Sequence, residues 1–397
     1  MSEIKVNSIK GVSASSAAIT VDNSSGSASA NLTTVNSVVM PNGGFLSNKN
    51  LIQNGAFQIA QRGVSSTSEG FKTVDRFDTE QGGVDEGPTR EQADVAAGTT
   101  PYTLGFRKCF KITNGNQTGG AGSSDRLLLS TKLEAQDIAN SGWNYLSTSS
   151  YITLSFWVKS SVAQNFYFRV QATDGTTYSY VMETGSLSAD TWTKITKTIP
   201  GNSNLTFNND NGEGLLIRWA LFRGTANTGT RPLNAWAAYD GSTRYPDVTS
   251  TWYTTNDATF EITGVQLEVG SVATDFEHRS FAQELLLCQR YCQKLGASEG
   301  TYDAMGTGAA FSSTVSFIPY SLKVAMRSTP SFTLLGAESD FKYTRSTGEH
   351  TPDSITFDQG GNNMCALRLQ GSSKTVDAAV RLYNTNTTGG YLFTAEL

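Results

Sequence analysis

The stretch SYITLSFWVKSS, residues 150–161, decides the fold class of this chain. Its apolar residues alternate with polar ones, so that Ile152, Leu154, Phe156 and Val158 fall on one face of an extended segment. Such alternation is typical of a strand that covers a core with one face only. The segment therefore predicts a half-buried β-strand.

Further strand-like segments, separated by turn signals, lie on both sides of this strand. The next segment, residues 165–175, ends in an Asp-Gly turn signal, so that residues 177–185 could pair with it. The chain is rich in Ser, Thr, Asn and 38 glycines, a composition that suits short strands joined by turns. We predict an all-β fold, with a jelly-roll-like β-sandwich of eight or more strands over residues 51–279. Further strands are expected at 191–201, 213–224 and 258–270, and long loops at 78–106, 113–126 and 224–257.

Bulk properties exclude several classes of protein. A chain of 397 residues is long enough for two or three domains. Only 16% of its residues are charged and the net charge is −5, so no cationic surface for nucleic acid is expected. The amino-terminal segment has no apolar signal region and no stretch approaches 18 apolar residues. We expect a soluble protein made in a cytoplasm, with no membrane insertion.

The two ends of the chain differ from its middle. Residues 1–50 contain small residues and few aromatics, which leaves two interpretations, a disordered leader or a thin β stalk that completes its core with neighbouring chains. Recurring Ile and Val residues favour an extended stalk. Residues 298–397 again alternate like strands and predict a smaller C-terminal β domain.

One segment, SFAQELLLCQRYCQKL at residues 280–295, predicts a helix that connects the two β domains over residues 280–297. Ser280 suits its N-cap, Glu284 its first turn and Gly296 its end. Two interpretations stay open: a short heptad seam that contacts neighbouring chains, or a helix lying on its own domain, with Leu286 and Leu287 widening the apolar face. The predicted helix seam, spaced 4, 3, 4 and 3, consists of Phe281, Leu285, Cys288, Cys292 and Leu295. The cysteines, Cys109, Cys288, Cys292 and Cys365, are expected to be reduced.

Several of these segments together resemble a family. NLIQNGAFQIAQRG (50–63), VDRF (74–77), residues 150–161 and the long run ATFEITGVQLEVGSVATDFEHRS joined to ELLLCQRY look like serial landmarks of bacteriophage tail fibre proteins. The first residues, MSEIKVNSIKG, are similar to the attachment segment of tail fibres from marine podoviruses and myoviruses. The resemblance implies a sandwich like carbohydrate-binding modules, a following helix, a C-terminal β domain at the fibre tip and a homotrimer. Asp275 stands where the family usually has proline, and Cys292 where it usually has an aromatic residue.

Catalytic and metal-binding signals are weak. The two histidines, His278 and His350, lie outside nucleophile motifs, and His278 reads as a connector residue. The loop acids Asp85, Glu86, Asp240, Asp247 and Asp257 could hydrolyse a glycoside only as a pair flanking a cleft, and they read as turn residues. We predict no enzyme, no cofactor and no metal ligands. Gln58 stands where calcium-binding sandwich modules often have an acid, and a structural calcium remains an open question.

An aromatic loop at residues 231–257 is the strongest binding signal. Flat rings beside Asp and Asn acceptors are what a glycan site needs. The alternative is that these rings pack over the sandwich edge or an intersubunit interface. A polar segment at 343–363 is a second candidate surface, because recognition concentrates in loops on a rigid scaffold. The candidate glycan or receptor residues are Trp236, Tyr239, Tyr245, Trp252 and Tyr253.

The resemblance implies a structural virion protein, a tail fibre that attaches to the host surface by non-covalent binding. Its partners would be two further copies of itself, other tail or adaptor proteins through residues 1–50, and a host surface glycan or protein, with no nucleic acid. Avidity from three copies would strengthen individually weak contacts. Two alternatives remain, a tailspike-type enzyme that degrades glycans and a structural head or tail component without receptor contact.

Overall fold

The computed structural model describes residues 48–297, 301–345, 348–372 and 374–397, together with three short strands in the first 47 residues. The chain divides into two compact units, Met1–Ser47 and Asn48–Leu397. In the first unit the strands β1 (Ser8–Ile9), β2 (Ile19–Val21) and β3 (Ala28–Ala30) form one antiparallel sheet. The rest of the predicted stalk, including its attachment role, lies outside the described residues.

The second unit begins with a sandwich of two six-stranded antiparallel sheets, which confirms the predicted all-β class. The first sheet has the strand order β14-β11-β10-β13-β8-β5, and the second sheet the order β12-β9-β15-β7-β6-β4. The strands are β4 (Ser65–Ser66), β5 (Phe77–Gly82), β6 (Thr89–Asp94), β7 (Lys108–Thr113), β8 (Arg126–Glu134), β9 (Tyr151–Ser160), β10 (Asn165–Ala172), β11 (Tyr178–Ser186), β12 (Thr193–Pro200), β13 (Glu213–Arg223), β14 (Trp236–Ala238) and β15 (Thr259–Val269).

The core of the sandwich lies between the two sheets, where the alternating apolar residues meet. On β9 the four residues Ile152, Leu154, Phe156 and Val158 are fully buried, as their spacing predicts. The Phe156 ring lies 5.1 Å from the Phe168 ring and 5.6 Å from the Trp219 ring, both on the first sheet. Each large side chain buried in this way stabilises the fold by about 1.5–3 kcal/mol. The period-2 pattern therefore produces the sandwich directly.

Two of the predicted loops differ from the structure. Residues 78–106 contain most of β5, all of β6 and the short helix α1 (Thr100–Thr103), so the prediction of one long loop there is wrong. The reason is that β5 and β6 lie at or near the sheet edges, where polar sequences such as TREQAD pair without covering the core. The predicted loop 224–257 contains β14 and the short helix α3 (Thr251–Thr254). A further short helix of the sandwich, α2 (Ala135–Ala139), directly follows β8.

The C-terminal region forms the predicted smaller β region, with a core of its own that includes Tyr391 and Phe393. It consists of a seven-stranded sheet of order β21-β20-β24-β17-β18-β23-β22 and a three-stranded sheet of order β16-β25-β19. The strands are β16 (Cys292–Gly296), β17 (Ala304–Ala310), β18 (Val315–Ser321), β19 (Ser331–Leu335), β20 (Phe341–Arg345), β21 (Gly348–His350), β22 (Ser354–Gly360), β23 (Met364–Gln370), β24 (Ala379–Asn384) and β25 (Gly390–Thr394).

The predicted connecting helix is shorter than expected. Helix α4 spans Phe281–Gln289 and begins with the predicted Ser280 cap, which forms a capping box with Gln283. Its continuation, Cys292–Gly296, is strand β16, because it pairs with the terminal strand β25 and this tertiary pairing overrides the local helical pattern. None of the helices in the described ranges is long and apolar enough to span a bilayer.

The predicted helix seam is therefore not one helical stripe. Cys292 and Leu295 lie on β16, and Cys288 and Cys292 are fully buried within the chain itself. Phe281, in contrast, is 59% exposed at the start of α4. The five residues do not share a face, so the seam as predicted is wrong, and the two cysteines are core residues.

A buried ion cluster joins the end of the chain to the sandwich. The Glu396 carboxylate lies 2.9 Å from Arg62 Nη2 and 2.5 Å from Arg76 Nη1, and Asp75 lies 3.5 Å from Arg62 Nη1. Arg76 also donates a hydrogen bond to the Lys132 carbonyl and stacks on the Tyr291 ring, 3.4 Å from its centroid. We call these four residues, Arg62, Asp75, Arg76 and Glu396, the terminal ion cluster.

Candidate functional site

Two of the five candidate aromatic residues belong to the sandwich core. Trp252 and Tyr253 lie on α3 and are completely buried. The Trp252 indole donates to the Thr259 carbonyl at 3.0 Å, and the Tyr253 ring stacks on Phe222 at 4.2 Å. Because these rings close the core, neither presents a face to a ligand, and their prediction as glycan residues is wrong.

A third ring, Tyr245, covers the outer face of the first sheet. It is 1% exposed and packs in a small cluster with Leu128, Val181 and Ala220. Its ring lies 5.1 Å from the guanidinium of Arg169, a buried cation on β10. Stacking on a cation compensates the loss of water around that charge. Tyr245 is therefore a covering residue, which corrects its predicted role.

The remaining two rings are half-buried. Trp236, on the edge strand β14, meets the Tyr180 ring edge-on at 5.4 Å, and its indole donates to the Pro200 carbonyl at 2.7 Å. Tyr239 lies 5.2 Å from the Arg169 guanidinium. The five predicted rings therefore do not form one surface: two lie in the core, one covers the first sheet and two lie at its edge. This agrees with the alternative that the rings pack on the sandwich. The other candidate surface, 343–363, forms β21, β22 and part of β20, apart from residues 346–347 outside the described ranges.

A cavity on the outer face of the second sheet combines aromatic and polar walls. Its volume is about 230 Å³. Its apolar walls are Phe106, Trp157 and Phe276, and its polar side chains come from β9, β12 and the segment after β15. We call it the aromatic pocket. Its full lining is Leu104, Phe106, Ser155, Trp157, Lys194, Gly264, Thr274, Asp275, Phe276 and His278.

The strand pattern that builds the core also builds this pocket. Ser155 and Trp157 alternate with the inward residues of β9, so their side chains point away from the core. Lys194 on β12 is the register partner of Trp157 and lies on the same outer face. The pocket floor is therefore made from the polar-face residues of the strand that decides the fold.

A β-bulge in β15 makes room for the third wall. The register of β15 against β9 shifts between Thr263 and Gln266, and Gly264 has a φ of 63° there. A Cβ atom at Gly264 would lie 2.6 Å from Cζ of Phe106. Glycine at this position allows the Phe106 ring to form part of the pocket.

Three rings meet at one corner of the pocket. The centroid of Phe106 lies 4.9 Å from that of Phe276 and 5.0 Å from that of His278, and Phe276 and His278 are 5.0 Å apart. His278 Nε2 also lies 2.9 Å from the Leu104 carbonyl oxygen, which agrees with its predicted role as a connector. This corner is a compact aromatic wall, whose apolar part consists of the Phe106 and Phe276 rings.

Hydrogen bonds hold the rim of the pocket in place. The Glu268 carboxylate accepts from the Thr274 backbone N–H at 2.9 Å and from its hydroxyl at 2.6 Å. The side-chain oxygen of Gln266 accepts from the Glu277 backbone N–H at 2.8 Å, and Lys49 donates to the Asp275 carbonyl at 2.5 Å. Because the segment 274–277 is fixed in this way, little ordering is needed when a ligand binds.

The loop carboxylates accept hydrogen bonds from other loop residues of the chain. Asp85 accepts from the Gly119 N–H at 2.6 Å, Glu86 from the Asn116 N–H at 2.8 Å and Asp247 from the Thr228 hydroxyl at 2.7 Å. Hydrogen bonds from Ser242 lower the pKa of Asp240. Asp257 accepts from the Asn256 amide at 3.1 Å.

His350, on β21, lies 5.6 Å from the Tyr343 ring. In the described part of the chain no group of three His, Cys, Asp or Glu residues is arranged to hold a metal.

No protein-family model and no curated protein sequence matches this chain. Among solved structures it is similar to the enzymatically active domain of tailspike protein 4 from bacteriophage CBA120, with 10% identity, a TM-score of 0.30 and 56% of this chain against 21% of that chain. A putative sugar binding protein from Bacteroides thetaiotaomicron has 12% identity, a TM-score of 0.32 and 56% of this chain against all of that chain.

A third similar structure is TmCBM61 in complex with β-1,4-galactotriose, with 10% identity, a TM-score of 0.24 and 57% of this chain against 100% of that chain. This chain spans about a fifth of the tailspike chain. The fold of this protein is defined by its own strand pairing.

Sequence reasoning missed the residues of the aromatic pocket. Trp157 stands within a predicted strand, and Phe106 lies at the end of a predicted loop. One signal was present, because Trp157 is a large aromatic residue on the polar face of an alternating strand. Asp275, an exposed acid in the segment that follows β15, was a second signal. Their proximity to each other is not encoded locally.

Proposed function

We propose that this protein is a non-catalytic attachment protein of a virion, a tail fibre that binds a saccharide of the host surface. The sequence landmarks that resemble tail fibres support the virion role, with residues 1–50 attaching to the particle. The aromatic pocket supports saccharide binding. The loop carboxylates, each engaged in hydrogen bonds within the chain, favour binding over hydrolysis.

The observation that carries the binding proposal is the combination of rings and polar groups in one small pocket. Sugars present an apolar C–H face, which stacks on an aromatic ring, and hydroxyl groups, which need hydrogen-bond partners. Trp157 offers the ring, and Ser155, Lys194 and Asp275 offer the polar atoms. A surface pocket with this composition suits a saccharide better than an apolar peptide or a nucleotide.

An array of bacterial surface polysaccharides, probed with the full-length chain, tests this function. We expect retention on a subset of polysaccharides, without release of reducing ends over a prolonged incubation. Trp157→Ala should lose the retention, whereas Trp236→Ala, a matched change of a half-buried tryptophan on the other sheet, should keep it. Reducing-end release would favour the glycan-degrading alternative, and silence on the array would favour a component without receptor contact.

Assembly into a homotrimer belongs to the same proposal. Helix α4 exposes three large apolar side chains, Phe281 at 59%, Leu286 at 52% and Leu287 at 39%. An isolated chain gains nothing from exposing these groups to water, whereas a subunit contact would bury them. The nine-residue helix is too short to hold chains together unaided, so it would align subunits joined elsewhere.

Light scattering of the full-length protein measures the assembly. We expect a mass of three chains at micromolar concentration, and a lower mass for Leu286→Glu, which places a charge in the contact. Glu338→Gln, a change in the C-terminal region, is the control and should leave the mass unchanged. A stable monomer of the unchanged protein at the same concentration would refute the trimer.

A further inference from the structure

We infer that the aromatic pocket takes a single N-acetylated aminosugar residue, with the acetamido group directed at the corner formed by Phe106, Phe276 and His278. This inference rests on the proposed function and adds the class of the ligand. Three properties of the pocket carry it: its size, its second apolar wall and its pair of opposite charges.

The size limits the ligand to one ring. Pockets that enclose a ligand of ordinary drug size have volumes of about 300–1,000 Å³. The aromatic pocket, with about 230 Å³, lies below that range. It therefore fits the terminal or a branching sugar of a chain, and the rest of the glycan would extend into solvent.

The apolar walls exceed what a plain hexose requires. One ring is enough to stack on the C–H face of a sugar, and Trp157 on the floor of the pocket can supply it. The separate corner of three rings, with centroids about 5 Å apart, offers contact to a second apolar group. A hydroxyl placed against the Phe106 and Phe276 rings would lose its hydrogen bonds to water, whereas a methyl group would gain contact area. The acetyl methyl of an acetamido group meets this requirement.

The charges favour a neutral ligand with both a donor and an acceptor. Lys194 offers an ammonium and Asp275 a carboxylate on the lining of the same pocket. An acidic sugar would be attracted by Lys194 but repelled by Asp275, and an amine would be attracted by Asp275 but repelled by Lys194, so neither charge sign gains a net advantage. An amide group suits both, because its carbonyl oxygen accepts from the ammonium and its N–H donates to the carboxylate. The hydroxyl of Ser155 remains for the ring hydroxyls.

The inference can be tested by titrating the full-length protein with methyl glycosides, followed by tryptophan fluorescence and by saturation transfer to the sugar protons. We expect N-acetylglucosamine or N-acetylgalactosamine to bind at least about tenfold more tightly than glucose, galactose and glucosamine. N-formylglucosamine, which lacks only the methyl group, should lose about tenfold, since a methyl contact in an apolar pocket is worth that factor. The strongest saturation transfer should fall on the acetyl methyl.

Two exposed side chains provide variants that keep the fold. Lys194→Met and Asp275→Asn should each weaken the acetamido sugar about tenfold, whereas Lys323→Met and Asp353→Asn, exposed changes in the C-terminal region, should have no effect. Equal affinity for glucose and N-acetylglucosamine, or unchanged binding in both pocket variants, would overturn this inference while leaving saccharide binding in place. Failure of every saccharide, on the array and in solution, would overturn the proposed function as well.

Discussion

Replacing Glu396 by glutamine removes one of the two negative charges of the terminal ion cluster and keeps the shape of the side chain. Glu396 is only 10% exposed, and its partners Arg62 and Arg76 are 6% and 0% exposed. Arg62 keeps Asp75 at 3.5 Å, but Arg76 has no second carboxylate within 4.0 Å among the described residues. Breaking a buried ion pair from one side costs about 3–5 kcal/mol. Because the glutamine side chain would keep one acceptor oxygen, we expect a loss at the lower end, about 3 kcal/mol.

Urea unfolding at neutral pH, followed by tryptophan fluorescence, measures this loss in Glu396→Gln. The matched control is Glu91→Gln, whose carboxylate pairs with Lys111 at 3.3 Å and is 35% exposed. A surface pair of this kind contributes about 0–1 kcal/mol. High salt should reduce the effect of the control more than that of Glu396→Gln, because buried pairs are less screened. Equal losses in the two variants would refute the reasoning.

Three further predictions concern buried groups. Burial raises the pKa of the Asp75 carboxyl to about 6 in the folded protein, whereas the pKa is about 3.9 in the unfolded chain. The folded state therefore holds this proton more tightly than the unfolded state. The stability that results is fully present below about pH 4 and is lost as the pH rises through 6. In the unchanged protein the unfolding free energy should therefore fall between about pH 4 and 7, and in Asp75→Asn this fall should be smaller by up to about 3 kcal/mol, as measured by urea titrations. The same pH dependence in both proteins would contradict this prediction. Gly264→Ala should lower the melting temperature and reduce the unfolding free energy by about 1–3 kcal/mol, because the φ at this position is 63° and an added Cβ atom would clash with Phe106. An unchanged melting temperature would exclude the clash. All four cysteines are buried, and burial raises the pKa of each thiol, so none should react with Ellman's reagent until urea is added; a thiol that reacts in the native protein would contradict its burial.

The landmarks behind the family resemblance prove to be structural contacts. The side-chain oxygen of Asn50 accepts from the Leu267 N–H at 3.1 Å, and its amide donates to the Val265 carbonyl at 3.1 Å. Arg279 donates to the carbonyls of Asn50 and Ile52. The first and last landmarks of the sandwich are therefore joined to each other in the folded chain.

The candidate site was less predictable than the fold. Rings in a loop rich in Gly, Asp and Pro suggested a binding platform, because sequence alone does not distinguish a ring that covers a sheet from a ring that faces a ligand. The α3 turn carries Trp252 and Tyr253 into the core, and Arg169, on a strand far earlier in the sequence, draws Tyr245 onto the first sheet. Both effects depend on partners that are distant in sequence.

The sequence by itself determined the all-β class, the main strands of the sandwich and the start of α4 at Ser280, because alternation and capping are local properties of the chain. Only the tertiary structure decided where α4 ends, since β16 exists through its pairing with the terminal strand β25. It also decided the aromatic pocket, which brings Phe106, Trp157, Lys194 and Asp275 together. These residues meet because sheet register and a glycine bulge are cooperative, long-range properties that no local pattern specifies.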